Sequence, residues 1–247
     1  SQGGRLNPTC TLVAGASGGI GRALCERLSE CFPSARIVRM ARDPSGLPPL
    51  AAETIDVGFD IAEEDSIRDA VARVPETLPV DWVFVATGWL HDEDRGPEKT
   101  YKSLDADHLL YSYRVNAIGP ALLLKHLIPR LNPACVCKLG VLSARVGSIS
   151  DNRLGGWHSY RASKAALNML IRNFAIELAR KKSRHVIVGL QPGTTDTALS
   201  APYQRNLPAG PLQSREYTAK HLLEVMQQLR TEDSGGLFDF KGLPFAP

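Results

Sequence analysis

The chain has 247 residues, 43% hydrophobic and 22% charged, which is close to the globular average and long enough to fill a complete core. A net charge of +3, from 29 basic against 26 acidic residues, is far too small for a nucleic-acid binder, so small molecules are the expected partners. No apolar stretch is long enough to cross a bilayer, and Ser1-Gln2-Gly3-Gly4-Arg5 lacks the apolar core of a signal peptide, so a soluble cytoplasmic chain without a membrane partner is expected.

Short β-rich runs alternate with longer helical patterns. Strands are predicted over Thr9 to Ala14, Ala35 to Met40, Thr54 to Phe59, Trp82 to Ala86, Cys135 to Leu142, His185 to Leu190 and Gly236 to Phe240. Between them, helices are predicted over Ile20 to Cys31, Glu63 to Val74, Ala106 to Leu131, Ser159 to Lys182 and Ser214 to Leu229. Pro44 to Pro49, His91 to Lys99 and Ala201 to Pro211 read as loops. This order predicts an α/β class, a doubly wound, mostly parallel sheet of about seven strands with helices on both faces. Neither a repeat nor a linker interrupts it, so one domain over 1–247 is expected, with a substrate loop at 194–211. The basic run Arg180-Lys181-Lys182-Ser183-Arg184 falls where a helix ends, and its cations complement the helix dipole there. The five cysteines are odd in number. Cys135 and Cys137 alternate within a predicted strand, a spacing that suits neither a CxxC metal knuckle nor a secreted disulfide scaffold, so reduced thiols and no metal are expected.

Gly15-Ala16-Ser17-Gly18-Gly19-Ile20-Gly21 follows the first strand and opens a helix. Its spacing differs from the usual GxGxxG. The physics is shared: bare backbone N–H groups and the positive end of a helix attract a pyrophosphate, and a misplaced Cβ would block its approach. Taken alone, the loop also reads as a plain glycine-rich strand-to-helix turn. After the second strand, Arg39-Met40-Ala41-Arg42 offers cations where NAD-selective enzymes need a carboxylate for the adenosine ribose. Arginine there favours a 2′-phosphate, so NADP(H) is expected over NAD(H), the alternative being an ordinary exposed pair.

Tyr160 and Lys164 are four residues apart in a strongly helical segment and share one face. A phenol holds its proton at neutral pH; a cation at ~4 Å and an effective dielectric of ~20 would lower its pKa by at most about three units. Lys164 is therefore expected to lower the pKa of Tyr160.

With the glycine loop upstream, this pair resembles the signature of the short-chain dehydrogenase/reductase family, and the likeness covers essentially the whole chain. That resemblance implies a Rossmann fold and an oxidoreductase that moves a hydride between NAD(P)(H) and a carbonyl or alcohol. Four further positions match in order. Asp60, before Ile61, looks like the acid that holds the adenine; Asn116 resembles the active-site asparagine; Ser143 resembles the catalytic serine. Pro192-Gly193-Thr194-Thr195-Asp196-Thr197 is similar to the stretch that holds the nicotinamide carboxamide and phosphates. The implied mechanism is a relay in which Ser143 hydrogen-bonds the substrate oxygen, Tyr160 exchanges its proton, Lys164 also holds the nicotinamide ribose, and Asn116 organises a water near Lys164. Each position has a plainer reading as well: Asp60 as a cap for the helix at Glu63, Ser143 as the end of its strand, Asn116 as a locally satisfied buried polar group. Two departures stand out. Val85-Ala86-Thr87-Gly88 replaces the family's Asn-Asn-Ala-Gly run, with Gly88 still expected to let the adenosine-side backbone pass, and Ala14 replaces the threonine that opens the glycine motif.

Gly155-Gly156-Trp157-His158-Ser159-Tyr160 and Glu232-Asp233-Ser234-Gly235-Gly236 look like the C-factor-like group of the family. Arg145, Val146, the stretch Ser150 to Trp157 and the loop 194–211 are expected to wall the substrate pocket, with Trp89 as an aromatic wall. Arg145 and Arg153 hint at an acidic substituent, against a plainer reading as solvated loop arginines. The apolar surface of the two long helices predicts a homodimer or homotetramer. A non-catalytic dinucleotide-binding regulatory protein with the same fold is the alternative function.

Overall fold

A computed structural model describes residues 7–206 and 212–247; the opening stretch Ser1 to Arg5 and residues 207–211 of the expected substrate loop lie outside them. Seven strands form one sheet: β1 (Cys10–Ala14), β2 (Arg36–Ala41), β3 (Thr54–Gly58), β4 (Trp82–Val85), β5 (Lys138–Leu142), β6 (Val186–Gln191) and β7 (Leu237–Asp239). Their order is β3-β2-β1-β4-β5-β6-β7, and every pairing is parallel. The order reverses between β1 and β4, which opens a crevice beyond their carboxyl ends.

The strands are buried on both faces, so alternate residues feed two cores. On one side Leu12, Val83, Val85, Leu139 and Ile187 pack under the helices α2 (Glu64–Ala72), α3 (Ala106–Tyr113), α4 (Gly119–Leu127) and α5 (His158–Arg180). On the other, Val13, Phe84, Val188 and Leu190 meet α1 (Gly19–Cys31) and α6 (Arg215–Gln228).

Two predicted elements differ. The long helix from Ala106 is not uniform: a π-helical turn spans Arg114–Ile118, where the Gly119 N–H reaches back to Arg114 O. Pro120, lacking an N–H, cannot continue the four-residue ladder, and Gly119 permits close passage, since a Cβ there would lie 2.5 Å from Ile61 O. The fifth strand starts at Lys138, so Cys135 and Cys137 precede it. Asn132 turns the chain by accepting from Ala134 N, and the Cys137 N–H donates to His185 Nδ1 at 3.0 Å.

Candidate active site

The glycine loop lies at the crevice. Gly15 has φ +84°, and a Cβ on it would sit 2.8 Å from Ala86 O; a Cβ on Gly21 would sit 2.0 Å from Gly15 O. Backbone from the ends of β1 and β4 therefore touches across the switch point, with no room for side chains. The Gly15 and Ala16 amides both donate to Met40 O, at 2.9 and 3.0 Å. Gly18 caps α1 without a side chain, so the first-turn amides stay directed toward the crevice. Thr197 covers the other side, its Cγ2 2.7 Å from where a Gly19 Cβ would be, and the Arg215 aliphatic chain approaches the same point at 3.0 Å. The Thr87 hydroxyl is buried without a hydrogen-bond partner among the described residues. A cradle that Cβ atoms would fill, an unsatisfied hydroxyl beside it and a positive helix end fit a dinucleotide.

The two arginines part company. Arg39 is buried: its Nε and Nη2 bond Asp56 at 2.7 and 2.8 Å, and Nη1 donates to Pro48 O at 2.6 Å. The expectation that Arg39 meets a 2′-phosphate is corrected by that pairing, which consumes its fork of donors. Arg42 is exposed and has no ion-pair partner among the described residues, while neighbouring Asp43 turns to the Ser45 amide and hydroxyl. Asp60 accepts from Ala62 N at 2.9 Å and its own amide donates to Ser66 Oγ at 2.8 Å; Glu63, rather than Asp60, is the cap of α2.

Tyr160, Lys164 and Asn168 recur every four residues along one face of α5. Lys164 is 3% exposed, donates to Leu142 O at 3.2 Å, and its Nζ lies 5.7 Å from the Tyr160 ring centroid. Asn168 Oδ1 accepts from the Ser143 hydroxyl at 2.6 Å. The end of β5 and the helix face are thus joined at Leu142 and Ser143. Gly88 passes close by: a Cβ there would stand 3.7 Å from Asn116 Oδ1 and 3.8 Å from Lys164 Nζ. Asn116 itself is fully buried in the π turn and clamps both backbone groups of Trp89, accepting from its N–H and donating to its carbonyl, each at 2.8 Å. A second donor bond reaches Ser163 Oγ at 3.1 Å.

Burial sets the charge states. It pushes Lys164 down to about 8 and Tyr160 up to about 12. The expected lowering of the Tyr160 pKa by Lys164 is corrected: burial desolvates the phenolate and raises it instead.

A family model described as short chain dehydrogenase matches residues 9–208. The chain belongs to the short-chain dehydrogenase family. It is 32% identical over 190 residues to the 1-hydroxy-2-glutathionyl-2-methyl-3-butene dehydrogenase of Rhodococcus sp. (strain AD45), covering 76% of this chain and 79% of the relative. C-signal of Myxococcus xanthus is 31% identical over 56% of this chain and 78% of its own, in keeping with the C-factor-like resemblance. Among solved structures, the NADPH-bound carbonyl reductase from chicken fatty liver superposes with a TM-score of 0.84 at 25% identity, covering 98% of this chain and 100% of that one.

In this short-chain dehydrogenase the expected stretches Ser150 to Trp157 and 194–211 both bring an aromatic ring toward Tyr160, whereas Trp89 turns elsewhere. Trp89 packs edge-on against His108 and Tyr111 at 5.1 and 4.8 Å, with Arg95 over it, and so braces the core. The aromatic group beside Tyr160 is Trp157, at 6.2 Å, followed by Tyr203 and His91. Arg145 lies 3.5 Å from Asp239 and over Phe245, and Arg153 folds onto Ser150 O and Asn152 O. The Thr195 hydroxyl bonds Thr218 at 2.8 Å, which turns that side chain into the protein and fixes the stretch whose backbone faces the crevice.

Sequence reading passed over Asn168, Glu98 and Arg215. Asn168 was discoverable as the next residue in the Tyr160, Lys164 series. Glu98 had no local signal: it is buried, and its carboxylate accepts from Ser159 N at 3.1 Å and from Ser159 Oγ, so a distant loop caps α5.

Proposed function

We propose that this chain is an NADP(H)-preferring oxidoreductase acting on a carbonyl or alcohol, with Asn116, Ser143, Tyr160 and Lys164 as its catalytic group. The observation that carries this reading is the line of Tyr160, Lys164 and Asn168 set against Leu142 and Ser143 at the carboxyl end of β5. One domain carries both sites. Gly15 to Gly21 would hold the pyrophosphate, Asp60, Ile61 and Ala86 to Gly88 the adenosine side, Arg42 a 2′-phosphate, and Pro192 to Thr197 with Lys164 the nicotinamide end. When bound, the dinucleotide supplies or accepts the hydride.

The protein's own work is done at the substrate oxygen. A phenol at about 12 is protonated at neutral pH, which is the starting state for reduction: Tyr160 donates its proton to the oxygen as negative charge develops there. Lys164, charged below about 8, then stabilises the phenolate. Ser143 currently gives its proton to Asn168 Oδ1, while the buried Asn168 Nδ2 has no partner among the described residues. A half-turn of that amide satisfies both needs: Nδ2 donates to Ser143 Oγ, and the Ser143 proton is released toward the substrate. Asn116 holds the loop that carries Gly88 beside Lys164. Alcohol oxidation needs the phenolate first, so it is favoured at alkaline pH.

The test is turnover of a panel of aldehydes, ketones and alcohols with NADPH and NADH, including a glutathionyl alcohol of the kind for which the Rhodococcus relative is named. Tighter NADPH binding that Arg42→Asp reverses supports the cofactor assignment; tighter NADH binding by the unmodified chain sinks it. Tight NADPH binding without turnover of any compound would favour the non-catalytic regulatory alternative.

The chain is further proposed to form a homodimer or homotetramer in the cytoplasm, where its free thiols persist. Leu110 and Tyr113 on α3 and Met169 and Ile176 on α5 are exposed apolar residues of the two neighbouring helices. Among the described residues no helix is long and apolar enough to cross a membrane. A monomer mass by light scattering at micromolar concentration would defeat the oligomer.

A further inference from the structure

Asp81, Cys135 and Cys137 meet at the amino-terminal edge of the sheet, the edge opposite the candidate active site. Asp81 immediately precedes β4, and the two cysteines precede β5. Their three ligand atoms lie within 4.8 Å of one another, with the sulfurs 3.9 Å apart and Cys135 Sγ 3.4 Å from Asp81 Oδ1. Two Zn–S bonds of about 2.3 Å at a tetrahedral angle hold their sulfurs about 3.8 Å apart, and a Zn–O bond of about 2.1 Å sets oxygen and sulfur about 3.6 Å apart. The sulfur–sulfur edge and the edge from Cys135 to the carboxylate match these to within a few tenths of an ångström, and the third pair of ligand atoms lies within 4.8 Å.

The surroundings are those of a braced ligand set. Asp81 Oδ2 accepts from Thr9 N, Thr9 Oγ1 and Cys10 N at 2.5, 2.6 and 3.2 Å, which fixes the carboxylate and leaves Oδ1 turned to the sulfurs. Asn132 Nδ2 donates to Oδ1 at 2.9 Å, and His185 Nδ1 holds the Cys137 amide at 3.0 Å. Each sulfur has an oxygen within hydrogen-bond reach: Cys135 has Asp81 Oδ1, and Cys137 has Asn132 O and Val80 O at 3.2 and 3.4 Å. Asp81 and Cys137 are buried, and half-exposed Cys135 gives an entry path.

We propose that Asp81, Cys135 and Cys137 form a binding site for a zinc-class divalent cation, with a fourth coordination position left to solvent. Binding replaces the two thiol protons: one M²⁺ enters, two M–S bonds and one M–O bond form, and two protons leave to solvent without any change of oxidation state. The cysteine spacing pointed away from a metal, because the third ligand arrives from a residue 54 positions away.

Co²⁺ is the probe, titrated into the reduced full chain carrying Cys31→Ser, since Cys31 is an exposed free thiol. One equivalent should produce thiolate-to-cobalt charge-transfer absorption, displaced by Zn²⁺ and abolished by Cys135→Ser, a half-exposed position where folding is preserved. Zn²⁺ should also protect two thiols from a disulfide reagent. Absence of the charge-transfer band, a band that survives Cys135→Ser, or thiols equally reactive in excess Zn²⁺ would each overturn the proposal and leave a hydrogen-bonded dithiol only.

Discussion

Trp157 precedes α5 and Lys182 follows it, and among the described residues these two are the non-glycine positions with left-handed backbone, at φ 53° and 57°. The two ends handle that conformation differently. At the carboxyl end the turn closes on itself: Lys182 N donates to Ala179 O at 3.0 Å and Ser183 N to Leu178 O at 2.9 Å, which occupies carbonyls the helix would leave open. At the amino end nothing is local. Trp157 N donates to Glu98 O, Ser159 N to the Glu98 carboxylate, and within two turns the helix buries a lysine. The contrast separates a cheap structural ending from a costly one held by distant residues, and the cost is concentrated where the candidate chemistry lies.

Replacing the buried cation should expose that cost most strongly. Lys164→Met keeps the length of the side chain and removes a charge that burial penalises. Its pKa falls from 10.5 to about 8, so the penalty is fully present below pH 8 and absent above 10.5. The substitution should therefore stabilise the chain at pH 7, by at most about 3 kcal/mol from the pKa difference, while turnover and cofactor affinity both collapse. Unfolding of parent and variant across pH 7 to 11 should converge toward the alkaline end. A variant less stable than the parent at pH 7 would contradict the account.

Tyr160→Phe, one turn earlier, should separate chemistry from structure. Folding and NADPH affinity should stay near those of the parent, and kcat should fall about a hundredfold or more, the scale for losing an acid–base group. Parental turnover in the variant would remove Tyr160 from the relay.

The same contrast explains what could be read in the sequence. Strand periodicity, the glycines at 15 and 21 and the four-residue spacing of Tyr160 and Lys164 are local facts, and local facts fix the sheet, the loop and the shared helix face. Tertiary partners are not local. Arg39 and Arg42 look equivalent in sequence, yet Asp56, on the adjoining strand β3, takes Arg39 out of solvent. Trp89 likewise packs on Tyr111, and Arg145 pairs with Asp239, contacts that no local spacing records. The pKa of Tyr160 missed in sign because desolvation depends on packing that no spacing records.

Glu98 tests the distant support directly. Burial raises its pKa, but the hydrogen bonds from Ser159 and from its own backbone, together with nearby His108, outweigh that and hold it below the ordinary glutamate range. Its contribution is thus present above the unfolded pKa and lost as pH falls through the lowered one. Glu98→Gln keeps an acceptor and deletes the charge at the helix start, so a loss of about 1 kcal/mol is expected at neutral pH. Denaturant titration should show that gap closing in acid. A gap that persists unchanged below the lowered pKa would mean the carboxylate charge plays no part.

The smallest effect compares one substitution at both ends. An L residue in the left-handed region pays roughly 1–2 kcal/mol, and glycine returns roughly 0.5–1 kcal/mol of that as extra freedom in the unfolded chain. Lys182 is exposed and its side chain supports nothing the turn requires, so Lys182→Gly should stabilise by up to about 1 kcal/mol, raising Tm by roughly 2–4 °C for a chain of this size. Trp157→Gly relieves the same backbone penalty but removes a ring that packs edge-on against Tyr160 and, at 5.3 Å, against Tyr203. Aromatic contacts of this kind contribute about 0.5–1.5 kcal/mol each beyond the area they bury, so two of them plus the lost burial exceed the strain relieved. Opposite signs in thermal unfolding, with Lys182→Gly up and Trp157→Gly down, are therefore expected. Stabilisation by both would show that Trp157 is held in place at a net cost, and that its position beside Tyr160 is retained for the substrate rather than for the fold.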